Sequence, residues 1–217
     1  MYCNSGILPP MVAGSSEGQT DARASRPLTF AHVLAFYLVF VFSGWLVTLA
    51  LRLIGLSALS DPTLETGLYA LPLIPVAYKF DPRIFSKAYW KFPSRAWAGI
   101  GVIGLMQFIF ESGKPLPPLD HYIVFGALFV APCVEELARA VMITPLMERL
   151  GGPAGLVITA LLWAWLHDFF WVALAQQVIL SLIFVYTRRS LPSAIAAHTV
   201  MNVIAAYHIG LHTIIPH

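Results

Sequence analysis

The sequence predicts an all-α membrane protein, a polytopic helix bundle with about seven transmembrane segments. Of its 217 residues, 58% are hydrophobic and only 11% are charged. A soluble domain carries about 25% charged residues, so this chain has too few charged side chains to cover a globule that faces water. Its apolar residues form long runs without the alternation of a barrel strand. In lipid, such runs can satisfy their backbone polar groups only as helices.

The apolar runs that we predict as helices follow one another along most of the chain. They are residues 30–51, 64–78, 96–111, 122–147, 153–167, 169–186 and 191–210. The first is long enough to cross a bilayer, whereas the second is short and contains Pro72 and Pro75. Residues 1–27, rich in Ser, Gly and Pro, are predicted to be a flexible polar tail. Residues 28–217 are predicted to form the bundle.

The basic residues are distributed unevenly between the predicted loops. If the amino terminus is cytoplasmic and all seven runs cross, ten of the 13 Lys and Arg residues face the cytoplasm. Arg52 and Lys114 face the other side, and Arg139 lies within the membrane. This asymmetry is the one that the positive-inside rule describes. We therefore expect an integral protein of the plasma membrane with a cytoplasmic amino terminus. The net charge of only +2 argues against a nucleic-acid partner.

Three of the runs each carry a polar cluster that includes an ionisable side chain at membrane depth. These are Glu135, Glu136 and Arg139 in the fourth run, His167 and Asp168 at the end of the fifth, and His198 and Asn202 in the seventh. An ionisable group there costs roughly 2.5–3.5 kcal/mol, so it is normally paired or functional. Together these side chains supply the carboxylates, imidazoles and carboxamide that can activate a water and stabilise an oxyanion.

Helical spacing places two pairs of these side chains on common helix faces and allows Glu135 and Arg139 to pair. Glu135 and Arg139 are four residues apart, as are His198 and Asn202, so the members of each pair share a helix face. Glu136 points about 100° away from Glu135, and we expect it to lack a basic partner on its own helix. Structural interpretations stay open for each cluster: an intrahelical ion pair in the fourth run, a helix-end pair in the fifth, and an interhelical hydrogen bond from the seventh.

At these residues the chain resembles the CPBP intramembrane endopeptidases, which include the type II CAAX prenyl endopeptidases and Abi-like proteins. That family carries Glu-Glu-x-x-x-Arg, aromatic-x-x-x-His and His-x-x-x-Asn/Asp motifs, each on its own membrane helix. The corresponding segments here are "EELARA" at 135–140, "WAWLH" from Trp163 to His167, and "HTVMN" from His198 to Asn202. The resemblance covers about residues 120–205, which we take as the protease-like core.

One spacing departs from the family pattern. The family's Arg follows the first Glu by five positions, whereas Arg139 follows Glu135 by four. Aligning the glutamates places Ala140 in the Arg position, assigns the first-Glu role to Glu135, and leaves Glu136 without the Arg partner of the family. An exchange of roles between the two glutamates, and a loss of activity, both stay open.

The resemblance implies an intramembrane endopeptidase, a glutamic CAAX-type protease that hydrolyses a peptide bond in a membrane protein or lipidated peptide. The implied catalytic residues are Glu135, Glu136, His167, His198 and Asn202, with Arg139 in support. Glu135 with His167 would take a proton from water, and His198 with Asn202 would donate hydrogen bonds to the oxyanion. No cofactor is expected. The alternative is a zinc ion held by Glu135, His167 and His198.

Two other classes of function are compatible with buried polar residues in a helix bundle. One is a non-catalytic immunity or assembly factor that has the same fold. The other is a proton-coupled transporter, in which buried Glu and His side chains carry protons. The absence of a recognisable inverted repeat in the sequence counts against the transporter. In every case the lipid bilayer is an expected partner.

Overall fold

The computed structural model describes residues 29–55, 73–111, 126–167 and 169–207. Within these ranges the chain is helical and contains no strand, so the all-α prediction is confirmed. The predicted tail at 1–27, the first part of the second run and the start of the fourth run lie outside the described residues, as does Asp168.

Each of the seven predicted runs overlaps one helix. The helices are α1 (Phe30–Leu53), α2 (73–80), α3 (Ala96–Phe110), α4 (Ala131–Leu150), α5 (Gly152–Ala164), α6 (Phe170–Tyr186) and α7 (Leu191–Ala206). A 3₁₀ turn, Pro82–Phe85, lies between α2 and α3. A π-helical turn, Gly126–Val130, leads directly into α4. Two helices end three or more residues earlier than predicted: α5 ends three residues before His167, and α7 ends four residues before residue 210.

The helices differ in whether they are long enough to cross a membrane. Among the described residues, α1 alone is long and apolar enough to cross a bilayer by length and composition. The helices α3, α5, α6 and α7 are apolar but shorter. At about 1.5 Å per residue, the 15 residues of α3 span about 22 Å, less than a hydrocarbon core of about 30 Å. The arrangement with seven spans therefore stays a prediction.

The helix α4 lies at the centre of the bundle, packed against α1, α5 and α7. Thirteen of its twenty residues are buried, and they include charged side chains as well as apolar ones. Its contact with α5 is close at Gly155. A Cβ atom there would lie 2.6 Å from the Leu146 carbonyl carbon and from the Met147 Cα. A glycine at this position therefore permits the backbones of α4 and α5 to approach.

The start of α7 is attached to the loop that precedes α3. The Ser190 hydroxyl caps α7 and donates a hydrogen bond to the Lys91 carbonyl oxygen. One residue later, the Leu191 amide donates to the Tyr89 carbonyl oxygen at 2.8 Å. These bonds hold the first turn of α7 in place, and with it the position of His198 two turns further along.

Candidate active site

Glu136 lies at the centre of a buried charge cluster. Its side chain and that of Arg139 are each only 1% exposed, and Arg139 Nη1 lies 2.6 Å from Glu136 Oε1 and 2.7 Å from Oε2. The expected ion pair between Glu135 and Arg139 is therefore wrong, as is the expectation that Glu136 lacks a basic partner on its own helix. Residues three apart on a helix are neighbours as much as residues four apart, and the face of Glu136 is the one that α4 turns into the bundle.

His198, on α7, lies between the two glutamates. Its Nδ1 donates a hydrogen bond to Glu136 Oε1 at 2.8 Å, and its Nε2 lies 4.0 Å from Glu135 Oε2. A carboxylate can only accept, so the proton of this bond belongs to Nδ1. In the neutral ring, Nε2 is then the nitrogen with the free lone pair, and it faces Glu135.

Glu135 differs from Glu136 in exposure and in contacts. Its side chain is 24% exposed, while its Oε2 is buried and has no hydrogen-bond partner among the described residues. The 4.0 Å between Oε2 and His198 Nε2 is too long for a direct hydrogen bond. A water about 2.8 Å from each atom would bridge them. The pair can therefore hold a small polar molecule between a carboxylate and an imidazole.

Arg139 is held by three helices. Besides its bonds to Glu136 on α4, its Nη2 donates to Gln177 Oε1 on α6. Its guanidinium carbon lies 5.7 Å from the centroid of the Trp163 ring on α5, within range of a cation–π contact. The contacts to α5 and α6 join the acidic motif of α4 to the two helices that follow it in the chain.

Trp163 is the aromatic residue of the "WAWLH" motif, and it is buried. Its ring stacks on Phe40 of α1, with centroids 5.2 Å apart and planes inclined by 21°. The aromatic residue of the motif thus packs against the Arg139 guanidinium. This contact gives the motif a structural purpose that is separate from its histidine.

Gln177 was not among the residues that the sequence analysis singled out. The signal was present, because "FWVALAQQVILSLIFVY" contains two adjacent carboxamides in an otherwise apolar run. A buried polar group without a partner is costly, so such a pair indicates polar contacts inside the bundle. Gln177 is fully buried and is the α6 contribution to the cluster.

His167 lies apart from this cluster. It is exposed, it follows the end of α5 at Ala164, and its Nδ1 donates to the Trp163 carbonyl oxygen at 3.0 Å. No hydrogen bond or ion pair within the described ranges joins His167 to Glu135 or His198. The predicted helix extended to residue 167, whereas the chain turns after Ala164 and carries this side chain outwards. The structure thus does not bring the expected general-base pair together.

Asn202 lies on α7, one turn beyond His198, and is partly buried. Residues four apart on a helix share a face, so Asn202 is on the side of α7 that carries His198. The position agrees with the spacing expected from "HTVMN".

The alternative zinc site was tested against the donor geometry. In the part of the chain that the structure describes, no three His, Cys, Asp or Glu side chains converge to hold a metal ion. Glu135 and His198 are close, but His167 is turned away. A catalytic zinc needs three protein ligands beside its water, and only two members of this donor set lie close together.

The chain was also compared with known proteins. Residues 117–204 match the family model described as type II CAAX prenyl endopeptidase Rce1-like. No curated protein and no solved structure matches the chain. The matched segment contains all three polar motifs and the whole of α4 to α7 up to residue 204. Over this segment, the chain is similar to the type II CAAX prenyl endopeptidases.

Proposed function

We propose that this protein is an intramembrane glutamic endopeptidase that hydrolyses a peptide bond of a membrane-associated substrate with a water activated by Glu135. One observation carries the proposal. Glu135 Oε2 and His198 Nε2 face each other across 4.0 Å, while Glu136 orients the same imidazole from its other nitrogen. This gives one carboxylate that is available to a water and another that holds a neighbouring catalytic group.

The two glutamates have separate tasks in this mechanism. Glu136 is neutralised by Arg139 and bonded to His198, so it serves as an orienting group. Glu135 has no basic partner within hydrogen-bond distance among the described residues, and one of its oxygens faces His198. Glu135 is therefore the better placed carboxylate to take a proton from water. The shifted spacing of Arg139 does not remove the ion pair of the second glutamate, because pairing occurs at three residues instead of four.

The proposed reaction proceeds in two steps. Glu135 takes a proton from the water while the water oxygen bonds to the substrate carbonyl carbon. This step creates a tetrahedral intermediate with a negatively charged oxygen. His198, in its protonated form, donates from Nε2 to this oxyanion, and the Asn202 amide is the proposed second donor. Glu135 then gives its proton to the leaving amine as the carbon–nitrogen bond breaks.

His167 is kept in the proposal as a second base. It belongs to the family motif, and general bases often approach the substrate only in the bound state. Its exposed position after α5 allows movement without breaking core contacts. Its participation in the reaction is a separate prediction.

The substrate and the orientation are also proposals. A reaction centre among buried helices suits a membrane protein or a lipidated peptide as substrate. The excess of basic residues on one side of the predicted topology supports a cytoplasmic amino terminus, and we place the protein in the plasma membrane. No metal is used in the proposed mechanism.

The function is tested by comparing the termini of membrane proteins in cells. Cells would carry the unchanged protein, Glu135→Gln, or Glu148→Gln as a matched control, all at equal abundance. Glu148 is a half-exposed glutamate that contacts Arg83 and Arg189 instead of the site. We expect specific new termini with the unchanged protein and Glu148→Gln, and their loss with Glu135→Gln.

Matching terminal profiles for all three proteins would call for the same comparison with Glu136→Gln. If that variant also changes nothing, the protease proposal is wrong. A non-catalytic immunity or assembly factor, or a proton-coupled transporter, would then account better for the buried charges.

A further inference from the structure

Gln177 on α6 is the point at which a third helix joins the charge cluster. Its side chain is fully buried, and its Oε1 accepts a hydrogen bond from Arg139 Nη2. A hydrogen bond from a charged donor in a buried site is stronger than a neutral one. The position of Gln177 therefore bears directly on where the guanidinium can lie.

The contacts form a continuous series across three helices. Gln177 on α6 accepts from Arg139, whose other terminal nitrogen contacts both oxygens of Glu136. Glu136 in turn accepts from His198 Nδ1 on α7. The two terminal nitrogens of the guanidinium are thus bound to partners on different helices, and Trp163 lies against its face. A displacement at Gln177 is transmitted to the imidazole through two hydrogen-bonded groups.

The neighbouring Gln176 shows that the contact is specific to one position. Gln176 points about 100° away around α6, and its Nε2 donates to Gln107 Oε1 on α3 at 2.7 Å. The two glutamines have the same side chain and are adjacent in the sequence, but they contact different helices. Gln176 is therefore a matched control for Gln177.

Arg139 has few substitutes for this partner. Its Nε has no hydrogen-bond partner among the described residues, so without Gln177 the guanidinium is bonded to Glu136 alone. The guanidinium can then rotate about its bond to Glu136 until Nη2 meets another acceptor, because an unsatisfied buried donor is costly. The carboxylate of Glu136 turns with it, and His198 loses its fixed acceptor.

We propose that Gln177 is a positioning residue that fixes Arg139, and through it Glu136, so that His198 presents Nε2 to Glu135. The inference deepens the proposed function and rests on it. It also explains how this chain accommodates an arginine displaced by one position from the family pattern: a carboxamide on α6 holds the displaced side chain.

The first test uses Gln177→Met, which keeps the length of the side chain and removes its acceptor, beside Gln176→Met. Cleavage of a substrate found by the comparison of termini is measured across pH. For Gln177→Met we expect kcat to fall about ten- to a hundredfold, the loss found for groups that orient a metal-bound histidine, with KM within about twofold. Its pH profile should shift. Gln176→Met should match the unchanged protein in all three properties.

The second test does not need activity. The full chain is labelled with ¹⁵N-histidine and studied by NMR in micelles, and the His198 signals are assigned by their loss in His198→Gln. We expect a protonated Nδ1 in the unchanged protein and in Gln176→Met, and altered His198 signals in Gln177→Met. If the unchanged protein cleaves nothing, the proposed function fails, while these signals still decide the role of Gln177.

Unchanged His198 signals in a folded Gln177→Met protein would overturn the inference. Should that variant not fold, Gln177→Glu replaces it, because this side chain keeps an acceptor oxygen at the same reach. It must then retain the protonated Nδ1 of His198. Loss of that signal in folded Gln177→Glu would contradict a role that depends on the acceptor.

Discussion

Nδ1 of His198 donates to Oε1 of Glu136 at 2.8 Å, and Nε2 of the same ring lies 4.0 Å from Oε2 of Glu135. One imidazole therefore has a bonded contact with the second glutamate and an open contact with the first. Because Arg139 also binds Glu136, the two adjacent glutamates have different environments. This difference is the physical basis for assigning them different tasks.

Substitutions of Arg139 and Glu136 should have strongly coupled effects on the free energy of unfolding. Arg139→Met leaves the Glu136 charge without its cation, and Glu136→Gln leaves the guanidinium without its anion. Removing one partner of a buried pair costs about 3–5 kcal/mol. We expect each single variant to lose stability on that scale and the double variant to lose clearly less than the sum. Unfolding free energies in micelles would check this, and additive losses would contradict the pairing.

His167 provides a prediction about catalysis alone. His167→Gln removes an exposed imidazole whose hydrogen bond is to the Trp163 carbonyl oxygen, so the melting temperature should change little. If His167 acts as a base with Glu135, cleavage should fall by about a hundredfold or more, the usual contribution of such a group. Kinetics on an identified substrate would measure it. Undiminished cleavage would leave Glu135 as the base without His167.

Metal independence can be measured on purified protein. After equilibration with zinc and removal of free metal, we expect much less than one zinc per chain. Cleavage should also be unchanged by a chelator, because no step of the proposed mechanism uses a metal. The opposite outcome is well defined: stoichiometric zinc that is lost in His198→Ala would establish a metalloprotease site.

The close contact between α4 and α5 predicts that adding a methyl group at Gly155 lowers stability, whereas adding one at Gly101 does not. In Gly155→Ala the new Cβ would meet the backbone at Leu146 and Met147, and backbone cannot move aside as a side chain can. We expect a loss of about 1–3 kcal/mol. Gly101→Ala on α3 is the control, since nothing lies within 4 Å of its Cβ, and it should stabilise by up to about 1 kcal/mol. Thermal unfolding of both variants compares them directly, and equal effects would refute the close approach.

The turn between α6 and α7 contains local strain that glycine should relieve. Arg188 and Arg189 have φ angles of 59° and 63°, a region that costs L-residues roughly 1–2 kcal/mol. Arg188 is exposed, so Arg188→Gly should raise stability by about 0.5–1 kcal/mol after the entropic cost of glycine. Arg189→Gly should gain less, because Arg189 also contacts Glu148. A lower melting temperature for Arg188→Gly would show that the turn is not strained.

Much of the fold could be predicted from the residues in order. All seven apolar runs overlap helices, because a long apolar run in lipid can satisfy its backbone hydrogen bonds only as a helix. The end of α5 was placed three residues too late, because "WAWLH" is apolar up to His167 and contains no glycine or proline that marks a stop. The break after Ala164 depends on how the chain reaches α6.

The sequence predicted most of the residues of the candidate site, but it predicted fewer of the contacts between them. Glu136, Arg139 and His198 were all singled out, because charged or titratable groups in apolar runs need a partner or a function. The pairing with Arg139 was assigned to Glu135 instead of Glu136. Gln177 was not predicted, because its carboxamide carries no charge and, unlike Asn202, it does not lie four residues from a histidine on the same helix.

By itself, the sequence determined that the protein is a helix bundle and which helices carry carboxylate, imidazole and carboxamide. Apolar runs and the spacing of the polar residues within them are properties of the chain before it folds. Only the tertiary structure decided that Arg139 binds Glu136, that Gln177 supports it, and that His167 lies apart. In an isolated helix, neighbours at three and four residues are nearly equivalent, so the choice is made by the faces that α6 and α7 present to α4.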